Sequence, residues 1–277
     1  MRELIEELEK INLAIFDLDG VIYRGNTLIP QTERIIRELK ELSVKVVYNS
    51  NNSTATRDTY VKRLENFNIL ADKSDIYTSA SITSAEITKI KRNARIFVIG
   101  EIGLRKELKN KGHVILKNDA NYKSVDFVIV GLDRRFKYQD LAFAQKCILE
   151  GSAQFYATNM DATLPDSNGF LPGAGTMVKA LEVCTSQKPI KLFGKPSPFG
   201  IELIIKNFNG SIDTTAIFGD RLDTDIRAGN LAGITTVLVL TGVSSRNDVE
   251  EIKRNPIKNY EELIPDVIID GLSSMFK

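Results

Sequence analysis

Short apolar runs alternate with amphipathic segments of helical period along this chain, and that alternation limits the fold more than any other feature. Strand-like runs fall at 13–17, 44–49, 96–99, 125–131, 154–157, 190–193, 215–219, 235–240 and 266–269. Helical patterns lie between them at 31–42, 54–67, 80–91, 101–111, 138–150, 174–185, 197–208 and 224–232. Parallel strands need crossover connections, and helices of this length supply them. The expectation is an α/β fold with a mainly parallel sheet. A chain of 277 residues can hold one large domain or two ordinary ones. No repeat, low-complexity tract or long linker interrupts the pattern.

Bulk chemistry narrows the function. Apolar residues at 43% and charged residues at 26% are the profile of a soluble globular protein. The net charge of +1 creates no global field for nucleic acid or an anionic membrane, so neither is an expected partner. No apolar run reaches the length of a bilayer span. The opening "MRELIEELEKIN" reads as a charged amphipathic turn or two, not a signal peptide, and the cytoplasm is the default compartment. Cys147 and Cys184 both sit in helical patterns and are expected as core thiols. The single histidine, His113, excludes a histidine-rich metal site, and its place after Gly112 suggests the surface.

The strand ends carry the chemistry. In open α/β sheets, ligands gather beyond the carboxyl ends of the strands. The first strand ends in "DLDG": Asp17 and Asp19, then Gly20. Two like charges at about 4 Å repel by roughly 4 kcal/mol at an effective dielectric of 20, so a cation or a shared proton must be expected there. The second strand ends in Ser50-Asn51-Asn52-Ser53, a later one in Gly194-Lys195-Pro196, and another in Gly219-Asp220 with Asp223 and Asp225 beyond. Carboxylates with few nitrogen or sulfur donors suit a hard cation such as Mg²⁺. A carboxylate can approach an anionic phosphate only if cations neutralise both, and Mg²⁺ with Lys195 would do so. Each piece alone has an ordinary reading. Asp-x-Asp-Gly is a common turn, "SNNST" a helix cap through Ser53 or Thr54, "GKPSP" a loop, and "DRLDTD" an acidic helix start. Their joint occurrence raises the functional reading.

"DLDGV", "SNN", "GKPSP" and "GDRLDTDI" resemble, in order and spacing, the four motifs of the haloacid dehalogenase superfamily of phosphatases. The middle segments "FVIGEIGL", "DFVIVGLDRRF", "ATNMD" and "PGAGTMVKALE" resemble its 4-nitrophenyl phosphatase, ribonucleotide monophosphatase, phosphoglycolate and pyridoxal phosphate phosphatase branch. The resemblance implies a Rossmannoid parallel-sheet core with an inserted α/β cap. It implies Asp17 as nucleophile and Asp19 as general acid and base. It implies Mg²⁺ held through Asp17, the Asp19 carbonyl and Asp220, with Asp225 behind them. Ser50 and the amides around Gly20, Asn51 and Asn52 would hold phosphate oxygens, and Lys195 would bridge nucleophile and phosphate. It also points to a homodimer formed through the cap.

Spacing divides the chain. About thirty residues separate Asp19 from Ser50, room for the flap "VIYRGNTLIP" and one helix. About 145 separate Ser50 from Lys195, far beyond the 2–6 residues of an ordinary βα or αβ loop. The expected division is a core of 1–93 and 190–277 with a cap of 94–189 that sets substrate specificity. Within it, "ATNMDATLPDSNGFLPGAGT" lacks a simple period and is the expected substrate-facing loop, with Asn159 and Asp161 as candidate contacts. Gly173 and Gly175 there permit close backbone approach or a helix cap. On the flap, Tyr23 and Arg24 are further candidates. The leading function is Mg²⁺-dependent hydrolysis of a small phosphomonoester. Phosphotransfer of the phosphomutase kind, a phospho-accepting signalling domain, and an idle phosphate-binding module remain alternatives at this stage.

Overall fold

The computed structural model describes residues 2–166, 169–256 and 258–277. In chain order the elements begin with β1 (Leu13–Phe16), β2 (Tyr23–Arg24), β3 (Thr27–Leu28), α1 (Thr32–Glu41), β4 (Lys45–Ser50), α2 (Arg57–Glu65), β5 (Ile76–Thr78) and α3 (Ser79–Ile90). Then follow β6 (Arg95–Ile99), α4 (Ile102–Asn110), β7 (Val114–Leu116), β8 (Phe127–Val130), α5 (Tyr138–Leu149), β9 (Gln154–Ala157), β10 (Thr163–Asp166), β11 (Gly169–Pro172), α6 (Ala174–Thr185) and β12 (Lys191–Leu192). The last group is α7 (Phe199–Asn207), β13 (Thr215–Gly219), α8 (Arg227–Ala232), β14 (Thr235–Val239), α9 (Arg246–Arg254) and β15 (Val267–Ile269).

Two compact units emerge. Unit 1 comprises Met1–Ser50, Val61–Tyr77 and Lys195–Lys277, and unit 2 comprises Asn51–Tyr60 and Thr78–Gly194. The inner boundary read from the sequence lay at 94, whereas α3 and residues 51–60 group with unit 2. Periodicity locates elements but does not reveal which neighbour each one packs on.

Unit 1 is built on a six-stranded sheet of order β15-β14-β13-β1-β4-β5. β1 lies at its centre, parallel to β13 and β4. Its four residues, Leu13-Ala14-Ile15-Phe16, are all buried, because both faces of a parallel sheet are covered. Each large apolar side chain buried this way contributes roughly 1.5–3 kcal/mol. Phe16 stacks on Phe218 of the neighbouring strand at 4.6 Å between ring centres. In α1 the apolar stripe Ile35, Ile36 and Leu39 turns inward, while Arg34–Glu38 and Arg37–Glu33 pair on the outer face. Strand order reverses at β1 and β13: the chain runs outward from β1 through β4 to β5, then returns to the other side of β1. A crevice opens at such a reversal, beyond the carboxyl ends of the strands.

Unit 2 repeats the principle with a five-stranded parallel sheet of order β12-β9-β8-β6-β7. Its reversal falls between β6 and β8. Phe97, Val128, Val130, Phe155, Val178 and Leu181 are among the side chains of its core.

Several sequence expectations are corrected. His113 is buried, not on the surface: its Nδ1 accepts the Ala94 N–H at 3.1 Å and its Nε2 lies 2.9 Å from the Thr88 hydroxyl. Thr88 Oγ1 donates to Ser84 O, so Nε2 carries the proton. The helix expected from 54 starts at Arg57, and neither Ser53 nor Thr54 caps it; the Thr59 N–H reaches Thr56 Oγ1 instead. Cys147 is a core thiol, but Cys184 is only half-buried. The aperiodic stretch 157–176 contains the β10–β11 hairpin, though Ser167 and Asn168 lie outside the described residues. The short strands β5 and β7 and the polar helix α9 were not anticipated. The chain closes on a 3₁₀ turn, Leu272–Met275.

Candidate active site

The reversal point of unit 1 gathers the expected residues. Asp17 follows β1 directly, its N–H donating to Phe218 O at 2.8 Å, so the ladder with β13 fixes the backbone from which the carboxylate projects. Asp220 follows β13 in the same way. Lys195 is 3% exposed. Its ammonium donates to Asp17 Oδ1 at 2.5 Å, to Asp225 Oδ1 at 2.5 Å and to the Asn49 carbonyl at 2.8 Å. Burial works against a charged lysine, but Asp17 and Asp225 outweigh it and hold the ammonium above its ordinary pKa. The opposite balance governs Asp17: burial, reinforced by Asp225 and Asp220, raises it well above the usual carboxylate range against the pull of Lys195. Asp17 keeps 13% of its side-chain surface exposed, so a ligand can reach it.

Asp220 sits in a tight backbone cradle. Gly20, with φ +88°, and Gly242 pass so close that a Cβ on either would lie 2.4 Å and 1.9 Å from Asp220 Oδ2. That oxygen accepts the Val243 N–H at 2.8 Å. Burial, followed by the field of Asp225, pushes the Asp220 carboxyl up to about 7. Asp225 lies on the wide π-helical turn Leu222–Ile226 and accepts Lys195 on Oδ1 and the Arg221 N–H on Oδ2 at 3.1 Å. The turn re-aims this acid toward the crevice, a common use of such turns.

Asp17, Asp220 and Asp225 thus crowd one ammonium, and the raised carboxyls of Asp17 and Asp220 reflect burial and their mutual repulsion. A divalent cation would relieve that repulsion. Among the described residues no group of three or more His, Cys, Asp or Glu side chains is placed to hold a metal ion. Mg²⁺ does not require one, since it commonly binds through one or two carboxylates and keeps several waters. The donor set fits the ion.

Asp19 lies on the outer side, exposed, with partial burial raising its carboxyl against Arg63, the Gly25 N–H and Arg24. The flap strands β2 and β3 begin just beyond. Tyr23 is buried beneath the Arg63 guanidinium, 3.8 Å from its ring centre. Arg63 also donates to the Gly25 carbonyl, and Arg24 to the Thr241 carbonyl. Arg63 was missed in the sequence because it belongs to an ordinary helical pattern; nothing local signals its role.

Ser50 ends β4 and is 8% exposed. The residues expected beside it fall in unit 2. Asn51 Nδ2 donates to both carboxylate oxygens of Asp161, at 3.1 and 3.2 Å, and Asn159 Nδ2 donates to Asp161 Oδ2 at 2.9 Å. Asn52 Oδ1 accepts the Thr54 N–H and hydroxyl at 2.8 and 2.7 Å. Neither cysteine belongs to the site, and burial pushes the Cys147 thiol up to about 12.

The profile of haloacid dehalogenase-like hydrolases matches residues 14–114, and a HAD-hydrolase-like profile matches 192–270. The 5'-nucleotidase YutF of Bacillus subtilis is 33% identical over 254 residues, covering 91% of this chain and 96% of its own. The solved p-nitrophenyl phosphatase of Archaeoglobus fulgidus superposes with a TM-score of 0.87 at 32% identity, over 96% and 98% of the two chains. The glycerol phosphate phosphatase of Mycobacterium tuberculosis, solved in complex with magnesium, gives 0.86 at 28%, over 99% and 79%. The chain belongs to the haloacid dehalogenase-like hydrolase family. Within it, the protein is a phosphatase, an enzyme acting on phosphorylated substrates. Among the described residues no helix is long and apolar enough to cross a membrane.

Proposed function

We propose that the protein hydrolyses phosphomonoesters of small metabolites through a covalent phosphoryl-enzyme on Asp17. The observation that carries this reading is the buried bridge from Lys195 to Asp17 and Asp225, with Asp220 beside it. A nucleophilic carboxylate must be deprotonated and must meet an anion. Lys195 favours the first and lowers the repulsion in the second.

In the first step an Asp17 oxygen forms a bond to phosphorus while the ester P–O bond breaks. Asp19 gives its proton to the departing oxygen. Partial burial raises its carboxyl above the ordinary range, the direction a general acid needs. In the second step water attacks phosphorus, Asp19 takes the proton of that water, and inorganic phosphate leaves with Asp17 regenerated. Ser50 and the amides near Gly20, Asn51 and Asn52 hold the non-transferring oxygens. Mg²⁺ would be held by Asp17, Asp220 and the Asp19 carbonyl, with Asp225 behind, and when bound would neutralise charge on phosphate and nucleophile. Unit 2 acts in this reading as the cap that selects the leaving group.

A panel of phosphomonoesters, including a nucleotide, 4-nitrophenyl phosphate and glycerol phosphate, tests it. Phosphate release is expected with Mg²⁺, is abolished by EDTA and is absent in Asp17→Asn. Release by that variant at wild-type rate would overturn the nucleophile, and release undiminished in EDTA would overturn the metal.

A further inference from the structure

The reversal point of unit 2 is where a parallel sheet of this topology would offer a ligand crevice. Here the chain itself fills it. The Gly103 and Leu104 N–H groups, in the first turn of α4, donate to the Thr54 and Ser53 carbonyls at 2.9 and 3.0 Å. Ala55 O and Ser53 O come so close that a Cβ at Gly103 would lie 2.3 and 2.6 Å from them. Beyond β8, the Ser53 hydroxyl would be 2.8 Å from a Cβ at Gly131. Beyond β9, Asp161 receives the amides of Asn51 and Asn159. The Ser79 hydroxyl donates to the Asn51 carbonyl at 2.6 Å, and the Gly175 N–H to the Asp161 carbonyl at 2.9 Å. The sheet edge of unit 2 therefore clasps residues 51–55, and the clasped segment starts one peptide bond after Ser50.

Asp161 is the charged member of this clasp. An anionic side chain placed to touch a phosphate would repel it. This one instead holds two amide donors, and both of its oxygens are engaged by Asn51. We propose that Asp161 is a positioning residue: it fixes Asn51, and through it the loop that supplies phosphate-oxygen donors, and it does not contact the leaving group. The proposal rests on the phosphatase mechanism above.

The sign of one substitution decides it. Asp161→Asn keeps the volume but leaves a single acceptor for two amides. Inhibition by inorganic phosphate is expected to weaken about tenfold, the scale of one charge-assisted hydrogen bond. KM should rise by the same factor for every phosphomonoester hydrolysed, with kcat much less affected. In an Asn51→Ala background the substitution should cost nothing further, because the two residues act as one unit. Tighter phosphate inhibition, a KM change confined to some leaving groups, no change at all, or additivity with Asn51→Ala would each overturn the proposal. Should Asp161→Asn fail to fold, Asn159→Ala is expected to shift phosphate inhibition and KM in the same uniform way, and a selective or absent shift would overturn the role. A wild-type protein that neither releases phosphate from the panel nor is inhibited by phosphate would overturn the mechanism itself. An active wild type with unaffected variants would overturn the positioning role alone.

Discussion

The two sheets of this protein share a topological device and use it in opposite ways. In unit 1 the reversal between β1 and β13 is lined by Asp17, Asp220, Asp225 and Lys195, three carboxyl groups around one ammonium. In unit 2 the reversal between β6 and β8 is filled by Ser53, Thr54 and Ala55. At this edge Arg134 pairs with Glu101 in a bidentate fork, and Asp161 holds the amides of Asn51 and Asn159. The lesson is that a parallel sheet provides a crevice, while the residues placed in it decide whether it is a site or a seam.

Exchange of charge in the first crevice should have the largest effect. Lys195→Met leaves Asp17 and Asp225 buried without their counter-charge. Removing one partner of a buried pair typically costs about 3–5 kcal/mol. Denaturant unfolding should show a loss of that order, together with loss of phosphate release. A variant as stable as the wild type would mean that the two carboxylates simply share a proton, and that the lysine is not needed to hold them.

The second crevice should respond to shape, not to charge. Gly103→Ala forces a methyl against Ala55 O and Ser53 O. Overpacking of this kind costs roughly 1–3 kcal/mol. The melting temperature should fall while the metal dependence of phosphate release is unchanged. If stability were unaffected, the segment 53–55 would not be tightly seated, and the contrast between the two edges would weaken.

The smallest effect concerns a titration within unit 2. Burial lowers the pKa of His113, so the unfolded chain binds the proton more readily than the folded one. Stability from this group is then complete above the ordinary imidazole value of about 6.5 and is lost as pH falls below it. Protonation would place a proton on Nδ1, where the Ala94 N–H already points. His113→Gln should flatten the acid side of the melting-temperature profile between about pH 7 and pH 5, around the ordinary imidazole value. An unchanged profile would remove His113 from the account.

Much of unit 1 was legible in the sequence because its chemistry sits at strand ends. A buried run such as "LAIF" finishing in two acids is a local signal, and Lys195 and Asp220 each follow a readable strand. The pairing of Lys195 with Asp225 was not legible, since it depends on a π-helical turn that no periodicity announces. In unit 2, "ATNMD" was readable as a strand end with polar residues. Its partner Asn51 was assigned to the core, because adjacency to Ser50 in sequence does not reveal that the chain changes units at that bond. His113 was misread for a related reason: a lone polar residue after glycine looks exposed until the two partners that bury it, Thr88 and Ala94, are brought together by the fold.

The central claim is that Asp17 bonds to phosphorus. Rapid acid quench of the protein with Mg²⁺ and an excess of a hydrolysed phosphomonoester, followed by mass spectrometry of the peptide carrying residues 13–19, tests it most directly. The account predicts a phosphorylated peptide with the modification on Asp17, absent at zero time and absent after treatment with hydroxylamine. Steady turnover with that peptide unmodified at every quench time, or with the phosphoryl group on Asp19 or Ser50, would contradict it.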